Sequence, residues 1–113
     1  MPYVSITTAK KLDDGKKFEL YSKVGELIPI IPGKTLDNAL ISINDGVSMF
    51  MGGKPNDGVF VSFQGYKKSP EDDKKEFSEK IYAVLKDILE IDPGCIYMNF
   101  TEFEHWASNG NYF

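Results

Sequence analysis

Hydrophobic positions alternate in two short segments of the chain and recur at helical spacing in two longer ones. Tyr3–Thr8 and Val59–Phe63 are rich in β-branched and aromatic residues, which is typical of strands. In the segment after each of them, apolar residues recur every three or four positions, as in a helix with one buried face. A further apolar run then follows, Ala39–Ile43 in the first half and Cys95–Phe100 in the second. The order strand, helix, strand is therefore predicted twice.

Capping signals predict where the helices begin. Asp13 is a typical N-cap for the first helix, and Pro29 and Pro32 with Gly33 are expected to end it. Ser69 followed by Pro70 predicts a cap and a first helical residue for the second helix, and Asp92 opens the break after it. The apolar stripe of the first helix is predicted to contain Phe18, Tyr21, Val24 and Ile28.

The two halves also align with each other at a single ungapped offset of 57 positions, at which Tyr3–Ile6 matches Phe60–Phe63. At the same offset, one helical stripe matches the other: Leu20, Val24, Leu27, Ile28 and Ile31 against Phe77, Ile81, Val84, Leu85 and Ile88. A strand that returns through a helix pairs in parallel with a right-handed crossover. We therefore predict an α/β (α+β) fold of two β-α-β units, with one four-stranded sheet and both helices on one face.

The other face of this sheet has no covering element. A chain of 113 residues has the size of one domain, so residues 1–113 are predicted to form a single domain without a third layer. The exposed face would carry Tyr3, Ser5, Phe60 and Ser62 or their alternating neighbours, which are uncharged. We therefore predict an oligomer in which the sheets of neighbouring subunits face each other.

Charge and composition exclude several classes of partner. The formal net charge is −4, which argues against nucleic acid or an anionic membrane as a partner. The lysines at 67–68 and 74–75 alternate with acids, which predicts a solvated helix face of mixed charge. Cys95 is the only cysteine, so no disulfide within the chain is expected. Without a recognisable signal peptide or apolar span, the expected location is cytoplasmic, with secretion by another route left open.

Pro2 is the main candidate for chemistry because it follows Met1 directly. A small second residue allows removal of Met1, which would leave Pro2 with a free secondary amine at the head of a strand. An α-amino group titrates near pH ~8, and desolvation or a nearby cation lowers its pKa toward neutrality. Retention of Met1 would acylate this nitrogen and remove the base. On its position alone, the interpretation that Pro2 merely follows the start codon and has no chemical role is favoured.

The chain resembles the tautomerase superfamily, most closely the branch of macrophage migration inhibitory factor and its bacterial and protist homologues. The resemblance extends over nearly the whole chain and rests on several segments in the expected order. They are Met1-Pro2, Pro32-Gly33-Lys34, Gly52-Gly53, Asp92-Pro93 through Tyr97-Met98-Asn99-Phe100, and the tail from Trp106 to Phe113 with its Asn109-Gly110.

The resemblance implies a homotrimer whose sheets surround a central barrel, with active sites between subunits and neither cofactor nor metal. Pro2 matches the catalytic proline and Lys34 the pocket lysine that holds a substrate carboxylate. Tyr97 and Asn99 match residues that a neighbouring subunit contributes. The pocket would also include Tyr66, Trp106 and Phe113. Asn38 replaces a common pocket tyrosine and Tyr66 stands near a common isoleucine, which leaves the substrate preference open.

The resemblance therefore implies a keto–enol tautomerase acting on aromatic α-keto acids such as phenylpyruvate. The alternative is a cytokine-like signalling or host-interaction protein that has the same fold and binds a receptor. A related dehalogenase or decarboxylase is less favoured, because those reactions usually use arginine and this chain has none. His105, the only histidine, is expected at the surface.

Overall fold

The computed structural model describes residues 2–113, and its helices and strands follow the predicted order. The elements are β1 (Tyr3–Thr8), α1 (Asp14–Leu27), β2 (Leu40–Asn44), β3 (Phe50–Met51), β4 (Lys54–Pro55), β5 (Val59–Tyr66), α2 (Glu71–Leu89), β6 (Ile96–Phe103), β7 (Ala107–Ser108) and β8 (Asn111–Tyr112). Neither described helix is long and apolar enough to cross a membrane.

Four strands form a mixed sheet in the order β2-β1-β5-β6. β1 and β2 are parallel, as are β5 and β6, whereas the two central strands β1 and β5 are antiparallel. The predicted pair of β-α-β units is thus confirmed. The register places Ser5 opposite Ser62 and Ser62 opposite Asn99.

The core lies between one face of this sheet and the two helices, and its helical part is the stripe found from the internal repeat. Leu20, Val24, Ile28 and Ile31 of the first half are fully buried. Of the matching residues in the second half, Phe77, Ile81 and Leu85 are fully buried and Ile88 is 5% exposed. The prediction that Phe18 and Tyr21 belong to this stripe was wrong, since they are 73% and 37% exposed. At about 100° per residue, Phe18 lies on the side of the helix opposite Leu20.

The two helix starts differ in how well the sequence predicted them. The Asp13 carboxylate accepts a hydrogen bond from the backbone N–H of Lys16 at 2.7 Å, which confirms the predicted cap. At α2 the N-cap is Pro70 and not Ser69, and no side chain caps the helix. The prediction failed because the Ser69 N–H donates to the Glu102 carboxylate of β6 at 2.6 Å, which fixes Ser69 outside the helix.

One further prediction, for the edge of the sheet, was wrong, and two predictions for the tail are confirmed. The apolar run Ala39–Ile43 was expected to be a buried strand, but β2 is an edge strand whose Leu40 is 65% exposed. The tail forms the expected turn, since β7 and β8 pair across Asn109 and Gly110, both with positive φ. His105 is exposed as predicted and stacks on the ring of Tyr112.

The sheet face turned away from the helices is uncharged in all four described strands, as predicted. The strand register puts fourteen side chains on this face, and we call it the open face. They are Tyr3, Ser5, Thr7, Leu40, Ser42, Asn44, Phe60, Ser62, Gln64, Tyr66, Tyr97, Asn99, Thr101 and Phe103.

Candidate functional site

Pro2 lies at the end of the sheet where β1 begins and β5 ends. It is buried, and its carbonyl accepts a hydrogen bond from the Leu40 N–H at 2.9 Å. Tyr3 pairs with Gln64, so the same register continued by one residue places Pro2 opposite Gly65. Pro2 shares the strand parity of the buried Val4 and thus lies toward the helices. Met1, whose removal the tautomerase interpretation requires, lies outside the described residues.

Lys34 reaches this same end of the sheet from the segment after α1. Gly33, with φ of 76°, turns the chain, and the side chain of Lys34 then passes over Gly65. A Cβ on Gly65 would lie 3.3 Å from Lys34 Cε and 3.6 Å from Nζ. The ammonium donates to the Tyr66 carbonyl at 3.2 Å, and the residue is only 8% exposed. Lys34 is therefore not an ordinary solvated lysine.

The electrostatic environment of Lys34 combines burial with one carboxylate. Burial lowers the pKa of Lys34, and the negative charge of Glu102 partly opposes this effect. Burial likewise disfavours ionisation of Glu102. Hydrogen bonds from Lys74 and the Ser69 N–H outweigh it and hold the pKa of Glu102 below its usual range. A cation and an anion are thus both kept at the Pro2 end of the sheet.

The predicted pocket aromatics lie close to one another at the end of β5 and in the tail. The rings of Tyr66 and Phe113 are 5.4 Å apart, and Lys67 Nζ lies 5.2 Å from the Tyr66 ring centre. The Phe113 N–H donates to the Trp106 carbonyl at 2.8 Å. The predicted residues Tyr66, Trp106 and Phe113 are therefore brought together, and the carbonyl of Tyr66 links them to Lys34.

Tyr97 and Asn99 are not brought to Pro2 within one chain. Asn99 lies in the row of Ser5 and Ser62, three positions along the strands from the row of Pro2, or about 10 Å. Tyr97 lies two positions farther and is 60% exposed. Both belong to the open face, whereas Pro2 points toward the helices. This placement is compatible with the expectation that they serve the site of a neighbouring subunit.

Two residues of the site were missed by the sequence reasoning, Gly65 and Glu102. Gly65 leaves the space that the Lys34 side chain occupies, and a glycine inside a strand is a recognised signal of such a close approach. Glu102 pairs with Gly65 across β5 and β6, so it stands in the row of Pro2. Nothing in the local sequence of Glu102 distinguishes it from a surface acid.

A concavity of about 660 Å³ lies at the opposite end of the sheet from Pro2, between the β3–β4 hairpin and the end of α2. Its lining includes Lys10, Phe50, Glu90 and Cys95. In residues 2–113, no group of three or more His, Cys, Asp or Glu side chains is placed to hold a metal ion.

Comparison with known proteins identifies the fold that carries this site. The family model of macrophage migration inhibitory factor matches residues 1–112. The chain belongs to the macrophage migration inhibitory factor family. The predicted relationship is thus confirmed over nearly the whole chain. No curated protein sequence is significantly similar to it.

Solved structures of low sequence identity share this fold over most or all of their length. Leishmania major MIF2 is 21% identical, with a TM-score of 0.91, covering 100% of this chain and 97% of the other. The macrophage migration inhibitory factor-like protein of Entamoeba histolytica is 20% identical, with a TM-score of 0.87 and coverage of 99% and 98%. Pt0534, solved after inactivation by 2-oxo-3-pentynoate, is 14% identical, with a TM-score of 0.81 and coverage of 89% and 85%.

Proposed function

We propose that the protein is a cofactor-independent keto–enol tautomerase that acts on aromatic α-keto acids such as phenylpyruvate. The observation that carries the proposal is the position of Pro2, buried opposite Gly65, over which the Lys34 ammonium lies. A base and a carboxylate anchor therefore meet at one sheet end. The inactivation of the structurally similar Pt0534 by a 2-oxo acid supports the choice of substrate class.

The proposed chemistry is a proton transfer between carbon and oxygen. With Met1 removed, the neutral Pro2 amine takes a proton from C3 of the keto acid, and the electron pair forms the C2=C3 bond of an enolate. The prolinium then returns the proton to the enolate oxygen. Lys34 holds the substrate carboxylate, and its positive charge disfavours protonation of Pro2 before substrate binds.

The ring of the substrate and the enolate oxygen require further contacts. Tyr66, Trp106 and Phe113 are proposed to supply the aromatic surface on which a phenyl ring packs, since the structure brings them close to one another. Donors for the developing enolate charge are proposed to be Tyr97 and Asn99 of a neighbouring subunit, because within one chain they lie far from Pro2.

This arrangement requires an oligomer, and we propose the homotrimer. The open face is uncharged and exposes large apolar groups, with Tyr97 60% and Leu40 65% exposed in the isolated chain. Such a surface is stabilised when a second copy covers it. Light scattering after size exclusion should give three times the chain mass of 12.7 kDa; a monomer at micromolar concentration would contradict the shared site.

The direct test is enol–keto conversion of phenylpyruvate by the purified protein, followed by ultraviolet absorbance. The Pro2→Gly variant retains a small second residue but replaces the secondary amine, so we expect a large loss of kcat with intact trimer. Full activity of Pro2→Gly would eliminate Pro2 as the base.

Intact-mass measurement of the native protein completes the test. Loss of Met1 is required for the proposed mechanism. A retained Met1 together with absent turnover would leave the cytokine-like interpretation as the better one.

A further inference from the structure

A row of three residues crosses the sheet at the Pro2 end, with a charged side chain at its far side. Pro2 directly precedes β1, and the β1–β5 register continued by one residue sets it opposite Gly65, which pairs with Glu102 of β6. All three have the parity of the helix-facing side. The end of the Lys34 side chain lies over Gly65, the middle residue of this row.

Glu102 is held in place by both of its oxygens. Oε1 accepts from Lys74 Nζ at 2.6 Å and Oε2 from the Ser69 N–H at 2.6 Å. The side chains of Glu102 and Lys74 are only 14% and 17% exposed, so the pair is shielded from solvent. The prediction that Lys74 belongs to a solvated helix face was therefore wrong, because it reaches from α2 to the end of β6.

The same strand end fixes the turn that orients Lys34. Lys67, with φ of 65°, donates its N–H to the Phe103 carbonyl at 2.8 Å. Ser69 is tied to Glu102 as described. These bonds secure the turn that begins at Tyr66, whose carbonyl accepts the hydrogen bond from the Lys34 ammonium.

We propose that Glu102 is a positioning residue of this site, which keeps the buried Lys34 ammonium charged and oriented for a substrate carboxylate. The inference rests on the proposed function and extends it to a residue outside the predicted site. Three charges face one another here: Lys34 from the segment after α1, Glu102 from β6 and Lys74 from α2. A free Pro2 amine on β1 would be the fourth titratable group.

Glu102 and Lys74 carry opposite charges, so removing them should shift the pKa of Lys34 in opposite directions, which makes the proposal testable. Glu102→Gln removes a negative charge near Lys34, so the pKa of Lys34 should fall. Lys74→Gln removes a positive charge beside Glu102, so the pKa of Lys34 should rise. Both variants loosen the same ion pair, and a merely structural role would therefore shift the titration of Lys34 in the same direction in both.

The first measurement is an NMR titration of Lys34 in protein with isotope-labelled lysine, with the resonance assigned by Lys34→Met. Glu104→Gln, an exposed acid just beyond β6, is the matched control and should leave the titration unchanged. Opposite shifts in Glu102→Gln and Lys74→Gln support the proposal. Equal titrations in wild type and Glu102→Gln, or shifts of one sign, overturn it.

The second measurement is the pH dependence of binding of 3-phenylpropionate, a carboxylate without a keto group. In Glu102→Gln the loss of binding at alkaline pH should begin at lower pH than in wild type, because Lys34 loses its proton earlier. An unchanged alkaline limit overturns the proposal. Neither measurement requires turnover, so a wild type without tautomerase activity would refute the proposed function alone.

Discussion

Gly65→Ala tests whether the space above Gly65 is what positions Lys34. The added Cβ would lie 3.1 Å from Phe63 Cε1 and 3.3 Å from Lys34 Cε. These distances are a few tenths of an ångström below the ~3.5–4.0 Å of ordinary carbon contacts. Phe63 is fully buried against Phe77 and Phe100, with ring centres 5.4 and 5.2 Å away. We therefore expect the flexible end of Lys34 to move.

The magnitude follows from what Lys34 loses when it moves. Overpacking in a core costs about 1–3 kcal/mol, and alanine in place of glycine in a strand offsets about 0.5–1 kcal/mol of it. The free energy of unfolding should thus fall only modestly. A displaced ammonium forfeits a charge-assisted hydrogen bond to substrate worth about 1.5–3 kcal/mol, or roughly tenfold to a hundredfold in KM. Since binding to ground state and transition state weakens alike, kcat should change much less.

The assay compares KM and kcat for phenylpyruvate with unfolding in urea. Gly58→Ala is the matched control, because its Cβ would meet the Cys95 carbonyl oxygen at 3.3 Å and Asn56 Oδ1 at 3.4 Å, next to the opposite end of β5. It should lower stability without raising KM. An unchanged KM in Gly65→Ala, or an equal rise in both variants, would refute the role assigned to the space above Gly65.

Three further perturbations address the assembly and the frame of the site. Ser62→Asp places a charge on the open face and should dissociate the oligomer in analytical ultracentrifugation, whereas Ala83→Asp on the exposed side of α2 should not. Asp13→Ala removes the 2.7 Å cap bond of α1 and should lower the free energy of unfolding in urea by about 1 kcal/mol; an unchanged midpoint would contradict this. The hydrogen bond from the Leu12 N–H, opposed by burial and aided by Lys17, lowers the pKa of Asp45. Ionised Asp45 therefore stabilises the folded state fully above its unfolded-state pKa, and this stabilisation is lost as pH falls through the lowered folded-state pKa. Asp45→Asn should thus reduce the loss of stability at acid pH, measured by thermal unfolding.

The fold was largely predictable because its helices and strands are encoded by the periodic spacing of hydrophobic residues within short segments of the sequence. The stripe from Leu20 to Ile31 and its copy from Phe77 to Ile88 were found from spacing alone, and all their members are buried except the partly buried Leu27 and Val84. The parallel pairs followed from the predicted strand–helix–strand order, because a strand that returns through a helix pairs in parallel. Phe18 was misassigned because helical spacing defines a stripe but does not say which of two overlapping stripes faces the sheet.

The site was only partly predictable, for a different reason. Pro2 and Lys34 were found through the family resemblance, and the structure brings them to one sheet end. The burial of Lys34 depends on a missing side chain at Gly65, 31 positions away in sequence. The Glu102–Lys74 pair depends on side chains that reach between a strand and a helix. Neither contact has a periodic signature, and single-sequence reasoning therefore could not find them. The single domain and the cytoplasmic location stay predictions.

The separation of Asn99 from Pro2 within one chain makes shared sites testable by subunit complementation. If each site combines Pro2 of one subunit with Asn99 of the next, Pro2→Gly and Asn99→Ala homotrimers are each impaired at every site. Refolding the two variants together at equal amounts redistributes the subunits. A site is then intact when its Pro2 comes from the Asn99→Ala chain and its Asn99 from the Pro2→Gly chain. In a closed ring this occurs at about a quarter of the sites.

We expect activity to recover to about that fraction of wild type, measured with phenylpyruvate after size exclusion. No recovery above the two variants kept separate would show that the two residues do not meet across a subunit boundary.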